Sequence, residues 1–582
     1  MKKLCLLMAL LFVLLTGCEG AAAGSSAASV GSAASGGNAP VEETAPDAEE
    51  DPAEAPISVE ETSGAEEFAA ELVRRENLSY PLTEEQVTLS MFCAAPTLGP
   101  LTFMGGDYGI QGYEDYASVQ KSFEITGVTV DFANVSSMES STLFALHIAS
   151  GDLSDMLSGI DLEYSGGVSN AYAEDIVVDL SPYVEEYCPA YMNLIDEDKD
   201  LKKSTVTDDG EMLMLYFFND YFIQAEGSVI RTDWLDKVNM EIPSTIDELH
   251  DVLLAFQSEM DCANPFYFNS ACCQLLPSFN LYNYQDLSSG ELAIYQIDGT
   301  VYSNFTSENY RQWLRTMNTW YSEGLIDPDF VSVSASNMGG HDEELLAEDN
   351  LGVWAGNINS ISNYYSMCPN EDFAIAPVYF TYDGEINHTI STSRLFGSST
   401  GTSGIAISTD CENVELALGY LDFWYTEEGY YLKNYGVEGE SYNLVDGQVE
   451  YTDVILNNEY DLVPAVALLL YSIGSSDMGM GAQDRTAIFY DDVQSEARDV
   501  WTANCDGTWS YPNATLTTDE SSIVGAAGSD VTTYIAECVP KFIMGELDVE
   551  TEWDTYVDTC NSMGMSDCLS AYQSALDRYN AR

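Results

Sequence analysis

The sequence predicts an α/β protein divided into two or more lobes, and three observations carry that expectation. The part able to fold is about 500 residues long, more than a single hydrophobic core normally holds. Its first segment alternates strand-like and helix-like patterns in the order β-α-β-α-β, which implies a mainly parallel sheet with helices on its faces. A second run of strand followed by helix begins afresh near Ser228.

Glu85 to Cys93 (EQVTLSMFC) alternates and carries β-branched residues, so it reads as the first strand. Tyr113 to Thr126 has helical spacing, Val128 to Phe132 is a second strand, Thr142 to Ser150 is helical, and Ser154 to Leu157 is a short third strand. Ligands of such sheets gather at the carboxyl ends of the strands. The loops after Cys93 and Leu157 are therefore placed to meet one. In the second unit Ser228 to Arg231 is a strand, and Thr232 caps the turn that follows. Ser244 or Thr245, with Asp247 and Glu248 behind, opens a helix through Phe256. Tyr310 to Ser322 is an amphipathic helix stopped by Gly324. Leu351 to Trp354 and Ser403 to Ser408 are short strands. Asp530 to Arg582 is mostly helical, with interruptions expected at Pro540 and Gly564.

The N-terminus does not belong to that fold. Met1-Lys2-Lys3 is basic and Leu4 to Leu15 is an apolar run of 12 residues, too short for a permanent span of about 20 but suited to a secretory signal. It ends in Leu15-Thr16-Gly17-Cys18, which resembles a bacterial lipobox; residues 1–17 are then a signal peptide and Cys18 is lipid-modified. Residues 18–81 are Ala-, Gly- and Ser-rich and then acidic, the composition of a flexible tether. The longest later apolar run, Leu462 to Tyr471, is broken by Pro464, so the lipid on Cys18 is the only expected membrane attachment.

The balance of 19 basic against 96 acidic residues excludes nucleic acid as a partner. Of 13 cysteines, Cys5 leaves with the signal and Cys18 is acylated; the remaining odd set is scattered without a C-x-x-C, so neither zinc nor a disulfide framework is indicated. Three enzyme-like or metal-like patterns fail. Gly397 to Gly401 fits G-x-S-x-G around Ser399, but that elbow needs a following helix, and a strand follows here. The four histidines show no H-x-x-x-H spacing. Asp196, Asp198 and Asp200 start like a calcium loop yet lack its Gly and its terminal Glu. No catalytic residue, metal or cofactor is expected.

Five segments, in order along the chain, carry a resemblance. They are Ala149 to Asp155 (ASGDLSD); Ile230 to Asp236 (IRTDWLD) with Ile242 to Glu248 (IPSTIDE); Trp320 to Asp329 (WYSEGLIDPD); Tyr435 to Tyr442 (YGVEGESY) with Asp446-Gly447; and Tyr572 to Tyr579 (YQSALDRY). Together they resemble the extracellular solute-binding lipoproteins of ABC-type carbohydrate importers, in their long family-1 branch. The resemblance implies a two-lobed, periplasmic-binding-protein-like clamp, each lobe a mainly parallel sheet flanked by helices, closing on its ligand. Lobe 1 begins at residues 82–224, lobe 2 spans 228–402, and 405–582 returns to lobe 1 and adds helices across both. Crossings fall near Phe222 to Gly227 and Thr400 to Gly404. Some relatives carry calcium near Asp196. The implied partners are a sugar or oligosaccharide and the importer's permease subunits, for a monomer held on the extracytoplasmic face of the cell membrane.

A sugar site needs aromatic rings for stacking and polar side chains for paired hydrogen bonds. The candidates are Trp354 and Asn357 in the run LGVWAGN, Tyr108 after the first strand, and Tyr216 before the first crossing. Asp152 and Asp155 at the start of the third strand, Glu226 beside the hinge and Arg394 complete the set. Arg394 is the notable cation in a region poor in Lys and Arg, which favours a neutral ligand over a uronate. The alternatives are a secreted carbohydrate-active hydrolase, which needs two carboxylates about 5–10 Å apart, and a peptide- or amino-acid-binding lipoprotein.

Overall fold

The computed structural model describes residues 72–73, 79–94, 108–135, 139–284, 286–333, 341–395, 397–398, 401–474 and 476–582. The signal segment, Cys18, most of the tether and Ser399 lie outside the described residues.

Lobe 1 starts with β1 (Val87–Ala94), whose Leu89, Met91 and Cys93 enter one core while Phe92 enters another on the opposite face. That is the period-2 alternation of a strand covered on both sides. α1 (Ala117–Thr126) stops at Gly127, whose φ of 76° suits a residue without Cβ. β2 (Val128–Val135), α2 (Ser140–Ser150) and β3 (Met156–Ser158) follow, and β2 and β3 flank β1 in parallel. α3 (Pro189–Glu197) leads towards β4 (Leu215–Tyr216) and β5 (Phe218–Asn219), where the chain leaves the lobe.

Lobe 2 contains β6 (Glu226–Arg231), α4 (Ile246–Glu259), α5 (Glu308–Ser322), β7 (Val353–Asn357) and β8 (Ile375–Val378). Thr245 caps α4 in a reciprocal capping box with Glu248, and Gly324, at φ 74°, follows α5. The chain re-enters lobe 1 as β9 (Gly404–Ile407), α6 (Val414–Phe423) and α7 (Glu427–Tyr435). It then crosses a third time through β10 (Met480–Gly481) to α8 (Asp492–Ala503) on lobe 2. Three final helices follow, α9 (Thr518–Met544), α10 (Val549–Met563) and α11 (Met565–Ala581), and they complete the lobe 2 core.

The lobe 1 sheet runs β2-β1-β3-β9-β4 and the lobe 2 sheet β8-β6-β7. The expectation of a mainly parallel sheet in each lobe needs one correction: in lobe 2, β6 is antiparallel to both neighbours. The cause is the crossing itself. β6 carries the chain away from the hinge, whereas β7 and β8 run back towards it. β9 does the same in lobe 1 and is antiparallel to β3 and β4. The cleft is thus edged by carboxyl ends of ordinary strands and amino ends of the two strands that emerge from a crossing.

Pro540 does not interrupt α9, a second correction; the helix continues to Met544 and ends at Gly545 with φ 74°. The proline sits close to the helix's last turn, between Val539 and Phe542, which are buried in the lobe 2 core and hold it. The chain end then reaches lobe 1. Arg578 and Arg582 both pair with Asp208, Arg582 donates to Lys203 O at 3.0 Å, and the Tyr579 and Ser204 hydroxyls lie 3.0 Å apart. Among the described residues no helix is long and apolar enough to cross a membrane.

Candidate ligand-binding cleft

The hinge is built where all three crossings meet, at Phe218 to Asp220. β5 pairs in parallel with β10 of the third crossing. The second crossing joins through Arg394, whose Nε donates to Asn219 O at 2.8 Å while Asn219 N–H donates to Arg394 O at 2.9 Å. Asp220 then accepts from Tyr221 N–H at 2.9 Å, Gln483 N–H at 3.1 Å and the Tyr430 hydroxyl at 2.9 Å. Burial pushes its carboxyl up to about 6 despite those donors.

On the lobe 1 side Ser158 at the end of β3, Ser403 before β9 and Asp477 on the third crossing come together as the candidate cleft floor. Ser158 Oγ donates to Asp477 Oδ2, and Ser403 also hydrogen-bonds this carboxylate, whose pKa burial raises. Lys433 of α7 lies behind. It is wholly buried, donates Nζ to Ser476 O at 2.5 Å and Met478 O at 2.6 Å, and sits 4.5 Å from the centre of the Phe217 ring. Burial pulls its pKa well down. It pins the third crossing and is not available to a ligand. On the lobe 2 side Asn357, at the carboxyl end of β7, donates Nδ2 to Glu226 Oε1 at 3.4 Å, and burial raises the Glu226 pKa against that bond.

The other expected site residues are placed as follows. Trp354 is 1% exposed and meets Tyr364 edge-on at 5.3 Å inside the lobe 2 core; expecting it to line the cleft is corrected. β7 alternates, so Trp354 shares the inner face with Gly356 while Ala355 is exposed on the other. Asp155 is also corrected, because it lies at the amino end of β3, away from the cleft. Its Oδ2 accepts from Ser90 N–H at 2.7 Å and Ser90 Oγ at 2.8 Å, fastening β3 to β1. Asp152 is exposed at that same end. Tyr216 is buried at the end of β4, its carbonyl accepting from the Tyr425 hydroxyl at 2.7 Å. Tyr108 is half-buried beyond the carboxyl end of β1, edge-on to Tyr460 at 5.0 Å. Arg394 is a hinge pin that also faces Asp198 at 3.7 Å. Asp198 caps the helix Lys199–Ser204, and Lys202 pairs with Asp196, so both of these carboxylates have protein partners.

Sequence reasoning missed Ser158, Asp477 and Trp501. The run GSSDMGMG around Asp477 is as glycine- and serine-rich as the crossing that was recognised, and that composition was the available signal. Trp501 of α8 lies over Gly227 and Gly356, where a Cβ on Gly227 would overlap its indole. It backs the lobe 2 rim.

No family model matches the chain. It is 24% identical over 500 residues to lipoprotein LipO of Bacillus subtilis, covering 83% of this chain and 92% of the relative. It is 22% identical over 545 residues to the fructooligosaccharide ABC transporter substrate-binding protein FusA of Streptococcus pneumoniae, covering 87% and 93%. Among solved structures, an HMO-binding, ABC-transporter-associated solute-binding protein of Bifidobacterium longum infantis superposes at TM-score 0.64 and 17% identity, over 85% of this chain and 99% of that one. The chain has the two-lobed fold of these solute-binding proteins. Alginate-binding protein AlgQ2 matches the same share of this chain at TM-score 0.61 and 21% identity. FusA and AlgQ2 are both named as binding proteins.

Proposed function

We propose that the chain is the lipid-anchored, extracytoplasmic substrate-binding component of an ABC importer, capturing an oligosaccharide by lobe closure and delivering it to the permease. The observation that carries this reading is the cleft itself. Two lobes with separate cores are joined at one knot of crossings, and each offers a half-buried carboxylate among hydroxyls and amides. Such a floor accepts from sugar hydroxyls, while Lys433 and Arg394 are held by the protein, which suits neutral rings. Relatives named for fructooligosaccharide and for polygalacturonan/rhamnogalacturonan support the carbohydrate class. The lipobox at Cys18 and the lipoprotein relative support the anchor. The protein acts as a monomer that returns its ligand chemically unchanged.

The test is a thermal-shift screen of protein lacking residues 1–80 against neutral and acidic oligosaccharides and short peptides, since a ligand of the folded state raises its melting point. A sugar should bind near micromolar affinity, about 8 kcal/mol, with no product by chromatography. Product formation would establish the hydrolase alternative, and stabilisation by peptides alone the peptide-binding one. Cys18→Ala should release the protein or leave its precursor uncut; an unmodified wild-type Cys18 by mass spectrometry contradicts the anchor.

A further inference from the structure

Arg485 stands apart among the described arginines. Every other one forms an ion pair with a carboxylate. The Arg485 guanidinium has neither an ion pair nor a hydrogen bond among the described residues, in a chain holding 96 acidic residues against 19 basic ones. Its position is nonetheless built. The carbonyl of Arg485 accepts from the Tyr451 hydroxyl at 2.5 Å. Gly474 leaves the space its guanidinium occupies, because a Cβ there would overlap Nη1. The groups acting on it most strongly are Tyr451, Tyr435, Tyr490 and Tyr430. Burial keeps those phenols un-ionised, so none supplies a counter-charge.

The place matters as much as the missing partner. Arg485 lies in the turn Gln483–Phe489, directly after β10 and before α8, on the crossing that also carries Asp477. The guanidinium packs over Gly474, three residues before Asp477 on the same crossing, which sets it beside the cleft floor. It remains partly exposed. A partly buried cation without a partner is costly, and the cost is offset when an anion arrives in the pocket. A planar guanidinium suits a carboxylate best, through two parallel N–H···O bonds.

We infer that Arg485 is the receptor for one oxyanion, a carboxylate, carried by an otherwise neutral bound oligosaccharide. The inference rests on the reading that the cleft takes an oligosaccharide. It revises the sequence-level preference for a wholly neutral ligand at this one position.

Calorimetric titration of the wild type, Arg485→Gln and Arg485→Lys tests it, using trigalacturonate and the galactotriose of the same linkage beside the neutral panel above. The wild type should bind the acid at least about tenfold more tightly than its neutral partner. Arg485→Gln should abolish that difference, and Arg485→Lys should restore part of it. The unliganded melting point of both variants should match the wild type, because no protein partner is lost. Inorganic phosphate at equal ionic strength should not displace the acid; if it does, the site serves a free oxyanion and the assignment to a sugar substituent falls. Binding of neutral oligosaccharides alone, unchanged by Arg485→Gln, overturns the role of Arg485 and leaves the oligosaccharide reading standing. Failure of every oligosaccharide, neutral or acidic, overturns that reading and this inference with it.

Discussion

The Tyr430 hydroxyl donates to Asp220 Oδ2 at 2.9 Å, and this bond ties the first crossing to a helix of lobe 1. The other Asp220 oxygen accepts from the Tyr221 and Gln483 amides, the latter on the third crossing. One carboxylate therefore holds two of the three connections between the lobes in register, and the Arg394 backbone pairing beside it holds the remaining one. Tyr430→Phe should lower stability by about 1 kcal/mol, the cost of leaving a part-buried acceptor short of a donor. A denaturant melt beside that of the wild type checks this.

Trp354→Ala should behave as a core mutation. Removing a buried indole costs about 3–5 kcal/mol, so the unliganded protein should melt much earlier while the folded fraction binds ligand normally. A variant that melts like the wild type but loses affinity would return Trp354 to the cleft.

Asp422 is buried in α6, accepts from the Ala190 and Tyr191 amides, and has its pKa raised to about 7 by burial. A raised folded-state pKa means that the native protein binds a proton more tightly than the unfolded chain. Its contribution is therefore fully present below the ordinary carboxyl range, about 4, and is lost as pH rises through about 7. Asp422→Asn should flatten the stability profile across that window, measured as the denaturation midpoint at a series of pH values. An unchanged slope would show that another group titrates there.

Asp208→Ala should uncouple the lobes. Arg578 and Arg582, on a helix belonging to the lobe 2 core, both grip this one lobe 1 carboxylate. Calorimetry should show one transition in the wild type separating into two in the variant, the first lower by about 2–4 °C. A single unshifted transition would show that the grip carries no coupling.

Elements with a strong local period were legible in the sequence. The capping box at Thr245, the amphipathic α5 and the alternation of β1 all state their conformation within a few residues. What was not legible depends on distant partners. Strand direction around β6 follows from where the chain re-enters the hinge, which no local pattern encodes. Trp354 and Asn357 lie three residues apart on one strand; which of them reaches the rim depended on a register set by β6 and on the cover supplied by Trp501. Asp155 looked like a ligand contact because it sits in a family motif, yet its partner is Ser90 on a neighbouring strand. Asp477 and Arg485 lie on a third crossing that the sequence did not announce.

The two cores are interleaved along the chain, and that has a kinetic consequence. The lobe 1 core holds residues as distant along the chain as Leu89 and Met480, and the lobe 2 core residues as distant as Ile230 and Leu576. Contacts of such separation form only after the intervening chain has paid its loop-closure entropy. During synthesis neither lobe can finish while the chain is still being made: β9 must arrive for the first sheet, and α11 for the second core. A polypeptide of this topology stays unstructured through most of its own elongation. For the exported protein proposed above, that would keep the chain threadable through a secretion channel and postpone folding to the far side of the membrane.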